Sequence, residues 1–234
     1  MKKFLIATVV LLSSITLANA EQFRIGASAM YGGFEVDGAS EIFSGSHASN
    51  VASSAKVTKK ASDEKEDAAG AFGLGSIFAE IAANDQISFG VSYVPHSTDS
   101  EEAENIQNFT GADATGRDAK TTNKVKVTFE DLVTVYALAN VNENVYLKAG
   151  VMQVELITKE NLATGGAYGD TTLDGYTIAL GYNKDLDDGM FVRAEAAYMS
   201  IDGVTLTNQN DSTKSVSADG ITGYGAAVSV GKSF

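Results

Sequence analysis

The chain ends YGAAVSVGKSF, Tyr224 to Phe234, and stops on an aromatic residue. Read backwards in steps of two, one row is Phe234, Lys232, Val230, Val228, Ala226 and Tyr224. The residues between them, Ser233, Gly231, Ser229, Ala227, Gly225 and Gly223, are all small. Period two with unlike rows marks a strand whose two faces meet different surroundings.

The same alternation predicts eight strands, near 22–36, 68–82, 86–95, 124–139, 145–157, 174–184, 190–206 and 216–234. Ile87-Phe89-Val91-Tyr93 alternates with Ser88-Gly90-Ser92, and Tyr176-Ile178-Leu180-Tyr182 with Gly175-Thr177-Ala179-Gly181. Phe23-Ile25-Ala27-Ala29-Tyr31 and Phe72-Leu74-Ser76-Phe78 are further bulky rows. Both faces of 124–139 carry apolar residues, which a bulge that shifts the phase would explain. Three links are short: Ala83-Asn84-Asp85, Asn140 to Asn144, and DLDDG at Asp185 to Gly189, which closes on a hairpin dipeptide. The other four, near 37–67, 96–123, 158–173 and 207–215, are mostly long and alternate with the short ones.

At the other end, MKKFLIATVVLLSSITLANA has two lysines, a nine-residue apolar run from Phe4 to Leu12, and the small-residue pattern Ala18-Asn19-Ala20. The run is too short to span a bilayer, which takes about 20 residues. Residues 1–20 therefore read as a cleaved secretory signal, with the domain from 21 to 234 exported. Loss of its two lysines takes the formal charge from -13 to -15. So acidic a chain is a poor partner for nucleic acid. It has no cysteine, so an exported fold must hold without disulfides.

Alternating long and short connections between amphipathic strands predict an all-β fold, an eight-stranded antiparallel up-and-down transmembrane barrel. Hydrocarbon forbids open sheet edges, so the first and last strands must close. On this reading the bulky rows face lipid and the small rows face the interior. Tyr31, Tyr93, Tyr176, Tyr182, Tyr198, Tyr224 and Phe234 fall towards strand ends, as interfacial aromatics do. The signal, the eight strands and the terminal aromatic resemble the small outer-membrane β-barrel proteins of Gram-negative bacteria, and are similar to the membrane domain of outer membrane protein A. That resemblance implies residence in the bacterial outer membrane among lipid and lipopolysaccharide. It also implies a final strand read by the barrel-insertion machinery, here through Tyr224, Val228, Val230 and Phe234. Lys232 departs from the apolar residue expected there, and the cell-wall-binding domain that follows the barrel in that relative has no counterpart.

RAEAAYM, Arg193 to Met199, places Val192, Ala194, Ala196 and Tyr198 towards lipid, so Arg193 and Glu195 point inward. Arg24 and Lys148 share that phase, and Glu130 joins them if its strand keeps the corresponding one. Charges packed inside so narrow a barrel must pair. They form either a static ionic plug or a gate on a narrow water path. Catalysis has little support. The two histidines, His47 and His96, lie in or beside predicted loops, and Ser46 next to His47 is adjacency alone. No cofactor or metal is expected: Asp185 to Gly189 lacks the remaining ligands of a calcium loop. Asp99, Glu101, Glu102 and Glu104 make one loop acidic, suited to solvation or to divalent cations that bridge lipopolysaccharide. The function expected is structural or that of a narrow pore. The alternative is a surface-binding role, as an adhesin or phage receptor, through the long loops.

Overall fold

The computed structural model describes residues 22–43, 56–57, 66–100, 102–110, 119–162, 167–210, 212 and 214–234. The predicted signal at 1–20 and His47 lie outside these. The described strands are β1 (Gln22–Phe43), β2 (Lys56–Val57), β3 (Glu66–Ala82), β4 (Ile87–Tyr93), β5 (Thr98–Asp99), β6 (Ala103–Thr110), β7 (Ala119–Asn140), β8 (Val145–Leu162), β9 (Thr171–Asp185), β10 (Met190–Thr207) and β11 (Lys214–Ser233). They make a closed barrel of eight antiparallel staves. β4, β5 and β6 run end to end along β7, and β2 pairs with β6. β1 pairs with both β3 and β11, which shuts the cylinder. Phe234 completes that closure: its N–H donates to Phe23 O at 2.8 Å, and Phe23 N–H donates to Phe234 O at 3.2 Å.

Side-chain amides and one left-handed pair set the short turns. Asn84 Oδ1 accepts from the N–H groups of Gln86 and Ile87, and Asn142 Oδ1 from those of Asn144 and Val145. In DLDDG, Asp188 and Gly189 take φ of 60° and 73°, the two positive values that a tight hairpin of this hand needs.

Two expectations need correction. Much of the predicted loops 37–67, 96–123 and 158–173 is strand: β1 runs on to Phe43, β6 and the start of β7 fill much of the second, and β8 extends to Leu162. Above the bilayer a ladder needs no apolar row on its outer face, so alternating hydropathy cannot reveal it. The second correction is the phase of β3. Ile77 is exposed and Glu80 buried, so the row Phe72, Leu74, Ser76, Phe78, Glu80 faces the interior and Gly73 and Gly75 lie outside.

The reason is a side-chain interlock. Phe78 stands opposite Gly26, Tyr136 opposite Gly90, Tyr146 opposite Gly181 and Phe191 opposite Gly231. Each ring covers its glycine; a Cβ at Gly26 would lie 2.5 Å from the Phe78 ring, and one at Gly90 2.5 Å from that of Tyr136. The inward glycines are therefore sockets for inward aromatics, and they leave no empty lumen at those positions.

Outside, Phe23, Ile25, Ile77, Phe89, Leu147, Val151, Ile178, Leu180, Val192, Val228 and Val230 form the exposed apolar belt. Tyr176, Tyr198 and Tyr224 adjoin at its long-loop edge, with centroids 6.0 and 5.2 Å apart, and Phe23 meets Phe234 at 6.4 Å at the other edge. Gly90→Val is expected to cost about 1–3 kcal/mol by overpacking against Tyr136. Gly73→Ala, with nothing within 4 Å of its new Cβ, should be near neutral. Urea unfolding of both variants in lipid vesicles checks the contrast.

Candidate functional site

At mid-barrel, side chains from five staves meet on the axis. Arg193 of β10 donates from Nη1 to Glu80 Oε1 at 2.6 Å and from Nη2 to Glu80 Oε2 at 2.7 Å, a two-pronged pair with β3. Arg193 Nε donates to Asn183 Oδ1 of β9 at 3.0 Å, and Tyr136 of β7 donates its hydroxyl to Glu80 Oε1 at 2.9 Å. A second pair lies beside it: Lys148 of β8 and the Tyr146 hydroxyl donate to the two oxygens of Glu195. Glu80, Arg193 and Glu195 are 2, 5 and 8 % exposed, and the four charges balance. Aromatic faces enclose them. The Arg193 guanidinium lies 4.6 Å from the Phe191 ring centroid, 5.4 Å from that of Tyr146 and 5.7 Å from that of Phe78. Lys148 Nζ lies 5.2 Å from the Tyr136 centroid.

Of the residues singled out from sequence, Arg193, Glu195 and Lys148 are thus brought together. Arg24 stands directly opposite Glu80 in the β1–β3 register, while its Nε donates to Ser233 Oγ at 3.2 Å and its guanidinium lies 5.8 Å from the Phe191 ring. Glu130 is not brought in. A bulge between Glu130 and Val133, with Asp131 at φ 52°, shifts the phase of β7. Glu130 consequently pairs with Glu155, whose neighbours Val154 and Leu156 are the buried ones, so both glutamates take the outer face. Glu80, Tyr136, Tyr146 and Asn183 were missed. The signal for Glu80 was present: in Ile77-Phe78-Ala79-Glu80-Ile81 a carboxylate cannot face lipid, the argument that placed Glu195.

On the long-loop side of this ionic layer lies a cavity of about 80 Å³. Ser28, Ser76, Ser92 and Thr134 line its flanks, and Met30, Leu74, Val94, Leu132, Met152 and Met199 add apolar surface. Beyond it Val154, Leu156 and Leu173 form an apolar cluster with Phe129, Ile201 and Leu206 packed on it.

The wall beside the cavity is split. The β3–β4 ladder ends at Ile77 and Tyr93. Val94 N–H donates to Leu132 O of β7 at 3.0 Å, so the next amide would point at β3, and there the chain has Pro95, which has no N–H. Continuing the register puts Gly75 opposite Pro95. The Gly75 amide instead donates to Nε2 of His96 at 2.9 Å. From this point β5 follows β7, while β3 stays with β1. Leu74 and Ser76 on one side of the seam, and Ser92 and Val94 on the other, line the cavity behind it. His96, weighed in the sequence as a catalytic candidate, is engaged with backbone on both ring nitrogens.

Closure, belt and ionic interior define a small eight-stranded transmembrane barrel of the outer-membrane type. Among solved structures it is similar to the outer membrane protein OprG from Pseudomonas aeruginosa (11 % identity, 92 % of this chain and 97 % of that one, TM-score 0.43). It is also similar to Ail, the attachment invasion locus protein of Yersinia pestis (12 %, 90 % and 98 %, 0.38), and to the outer membrane protease OmpT from Escherichia coli (11 %, 95 % and 99 %, 0.38). What is shared at this distance is the barrel fold. No family model and no curated protein sequence matches the chain.

Removing one member of the buried pair isolates a charge. Glu80→Ala is expected to cost about 3–5 kcal/mol, and Glu80→Leu combined with Arg193→Met much less than the sum of the two single changes. Unfolding free energies of the four variants in vesicles test this.

Proposed function

We propose that this protein resides in the bacterial outer membrane as a barrel closed to ions by the Glu80–Arg193 and Glu195–Lys148 layer. In this reading small, largely apolar molecules enter the upper half of its lumen and leave sideways, between β3 and β4, at the level of the outer leaflet. The observation that carries this is the coincidence of seam and cavity: the ladder stops at Ile77–Tyr93, and the cavity is lined by residues of both flanking strands immediately behind. The ionic layer supports the closed floor, because two ion pairs held by six hydrogen bonds and stacked rings cost several kcal/mol to separate. The apolar cluster around Leu156 supports the ligand class, since a path for ions would be lined with groups able to replace their hydration.

The layer acts here as a plug rather than a gate. Refolded protein in a planar bilayer is expected to show no discrete ion openings. Openings in the wild type that change with Glu195→Ala would restore a water path through the floor and overturn the side route. Conversely, N-phenyl-1-naphthylamine should enter vesicles with a lipopolysaccharide outer leaflet faster when the protein is present. Leu74→Trp, which fills the cavity beside the seam, should slow that entry severalfold while the barrel still shows heat-modifiable migration on a gel.

A second reading, surface binding, is favoured by strand length. β1 and β7 each have 22 residues, about twice the 9–11 that cross a bilayer, so a polar skirt of sheet stands above the membrane. Two of its lysines are tied to acids, Lys124 to Glu102 at 2.7 Å and Lys126 to Asp99 at 2.6 Å. Such a skirt offers a rigid platform to a cell-surface or phage partner. Binding to whole cells that survives Leu74→Trp but is lost when the segments 44–65 and 111–118 are shortened would establish that role.

A further inference from the structure

The side route, if the reading above holds, needs a control, and the seam carries a titratable one. We propose that His96 is a proton-sensitive latch that holds β3 to the β4 stave when neutral and releases it on acidification.

The hydrogen bonds fix the charge state of the ring. The Gly75 amide can only donate, so Nε2 of His96 must be the unprotonated, accepting nitrogen. Ser97 O can only accept, so Nδ1 carries the proton, at 3.2 Å. A single neutral tautomer satisfies both. A second proton on Nε2 would point at the Gly75 N–H, and two donors face to face cannot bond. Imidazole is the side chain whose ordinary titration falls between pH 5 and 8.

The surroundings leave this event to the histidine. From Ala68 to Ala79, β3 has no titratable side chain, so nothing on the opposing strand compensates for an imidazolium. Among the described residues of its own stave and of β7, several charged groups are already engaged. Tyr93 donates its hydroxyl to Asp131 at 2.8 Å, next to Glu130. Asp99 accepts from Lys126 and from Thr128, each at 2.6 Å, and has Lys159 at 3.9 Å. Those contacts, Lys126 first, hold the Asp99 carboxyl below the usual carboxylate range, so it stays charged in mildly acidic solution. The site is also mechanically placed. Gly75 faces Pro95, where the ladder can offer no amide, and Gly73 beyond it has open space in place of a side chain. Releasing the imidazole extends the unpaired edge of β3 down towards Ile77.

The test follows amide exchange by NMR in the full mature chain refolded into nanodiscs, at pH 7.5 and 5.0, corrected for intrinsic rates. The Gly75 protection factor is expected to fall by about five- to tenfold at the lower pH, the loss of one hydrogen bond. Ile81, inside the β3–β4 ladder, should not change. His96→Gln keeps an acceptor that does not titrate, and should make Gly75 protection independent of pH. His96→Phe should leave it low at both. Wild-type protection equal at the two pH values, or a pH dependence that survives His96→Gln, overturns the latch. N-phenyl-1-naphthylamine influx in the lipopolysaccharide vesicles, at the same two pH values, separates this from the function it serves. A pH-dependent Gly75 with no protein-dependent influx sinks the side route and leaves the latch standing. Influx that ignores pH, with constant Gly75 protection, sinks the latch alone.

Discussion

Hydrocarbon offers a backbone amide no partner, so within the membrane every N–H and C=O of this chain has to find one on a neighbouring strand. The rest of the architecture depends on that. It explains why Phe234 bonds back to Phe23, so that the last residue completes the first stave's ladder. It explains why β1 keeps register with β11 from Arg24 to Asp37 without a break, and why the strands lengthen rather than shorten as they leave the bilayer. Once two neighbours are aligned, each further residue adds to the ladder without a new loop-closure cost.

An eight-stave cylinder has room for side chains and little else. The interior here is filled in two ways. Large rings from one stave seat on the glycines of the next, which fixes register because a slip of one residue would drive a ring into a Cβ or turn it out to lipid. The charges then occupy what the rings leave, each paired, hydrogen-bonded and stacked. Buried ion pairs are weak contributors to net stability, but they are intolerant of alternatives. Glu80 and Arg193 stand 113 residues apart in sequence on staves that do not touch, and their two-pronged bond is a contact across the lumen that a mis-registered barrel could not make.

The sequence made the fold legible because lipid imposes a rule on every outward row, and eight rows obeyed it. The site was legible only where that rule had an exception to read. Arg193 and Glu195 alternate with the apolar row Val192, Ala194, Ala196, and so reveal which side they must take. Glu80 does the same, but the rings of Phe72 and Phe78 beside it imitate a lipid-facing row and inverted the phase of β3. Hydropathy cannot tell a ring seated on an inward glycine from one seated in lipid. The partner glycine lies on another strand, 52 residues away for Gly26 and Phe78. Glu130 failed for a different reason: a bulge of one residue flips everything beyond it, and Asp131 at positive φ leaves no mark in an alternation already blurred by two apolar faces.

The single proline of the chain shows how the two constraints meet. A residue with no N–H breaks one rung of a ladder, and inside the apolar belt that broken rung would strand its opposite number in hydrocarbon. Pro95 avoids this by two residues. Tyr93 still pairs with Ile77, whose side chain belongs to the belt, whereas Gly75, opposite Pro95, already has an imidazole as a substitute acceptor. Gly73, one rung higher, pairs on its other side with Tyr31, at the upper edge of the belt. The wall thus parts at the first level where water and headgroups can satisfy what the proline leaves open. Two residues nearer the short-turn end, the same substitution would cost the barrel its closure; two residues farther, the seam would lie above the cavity that is now behind it.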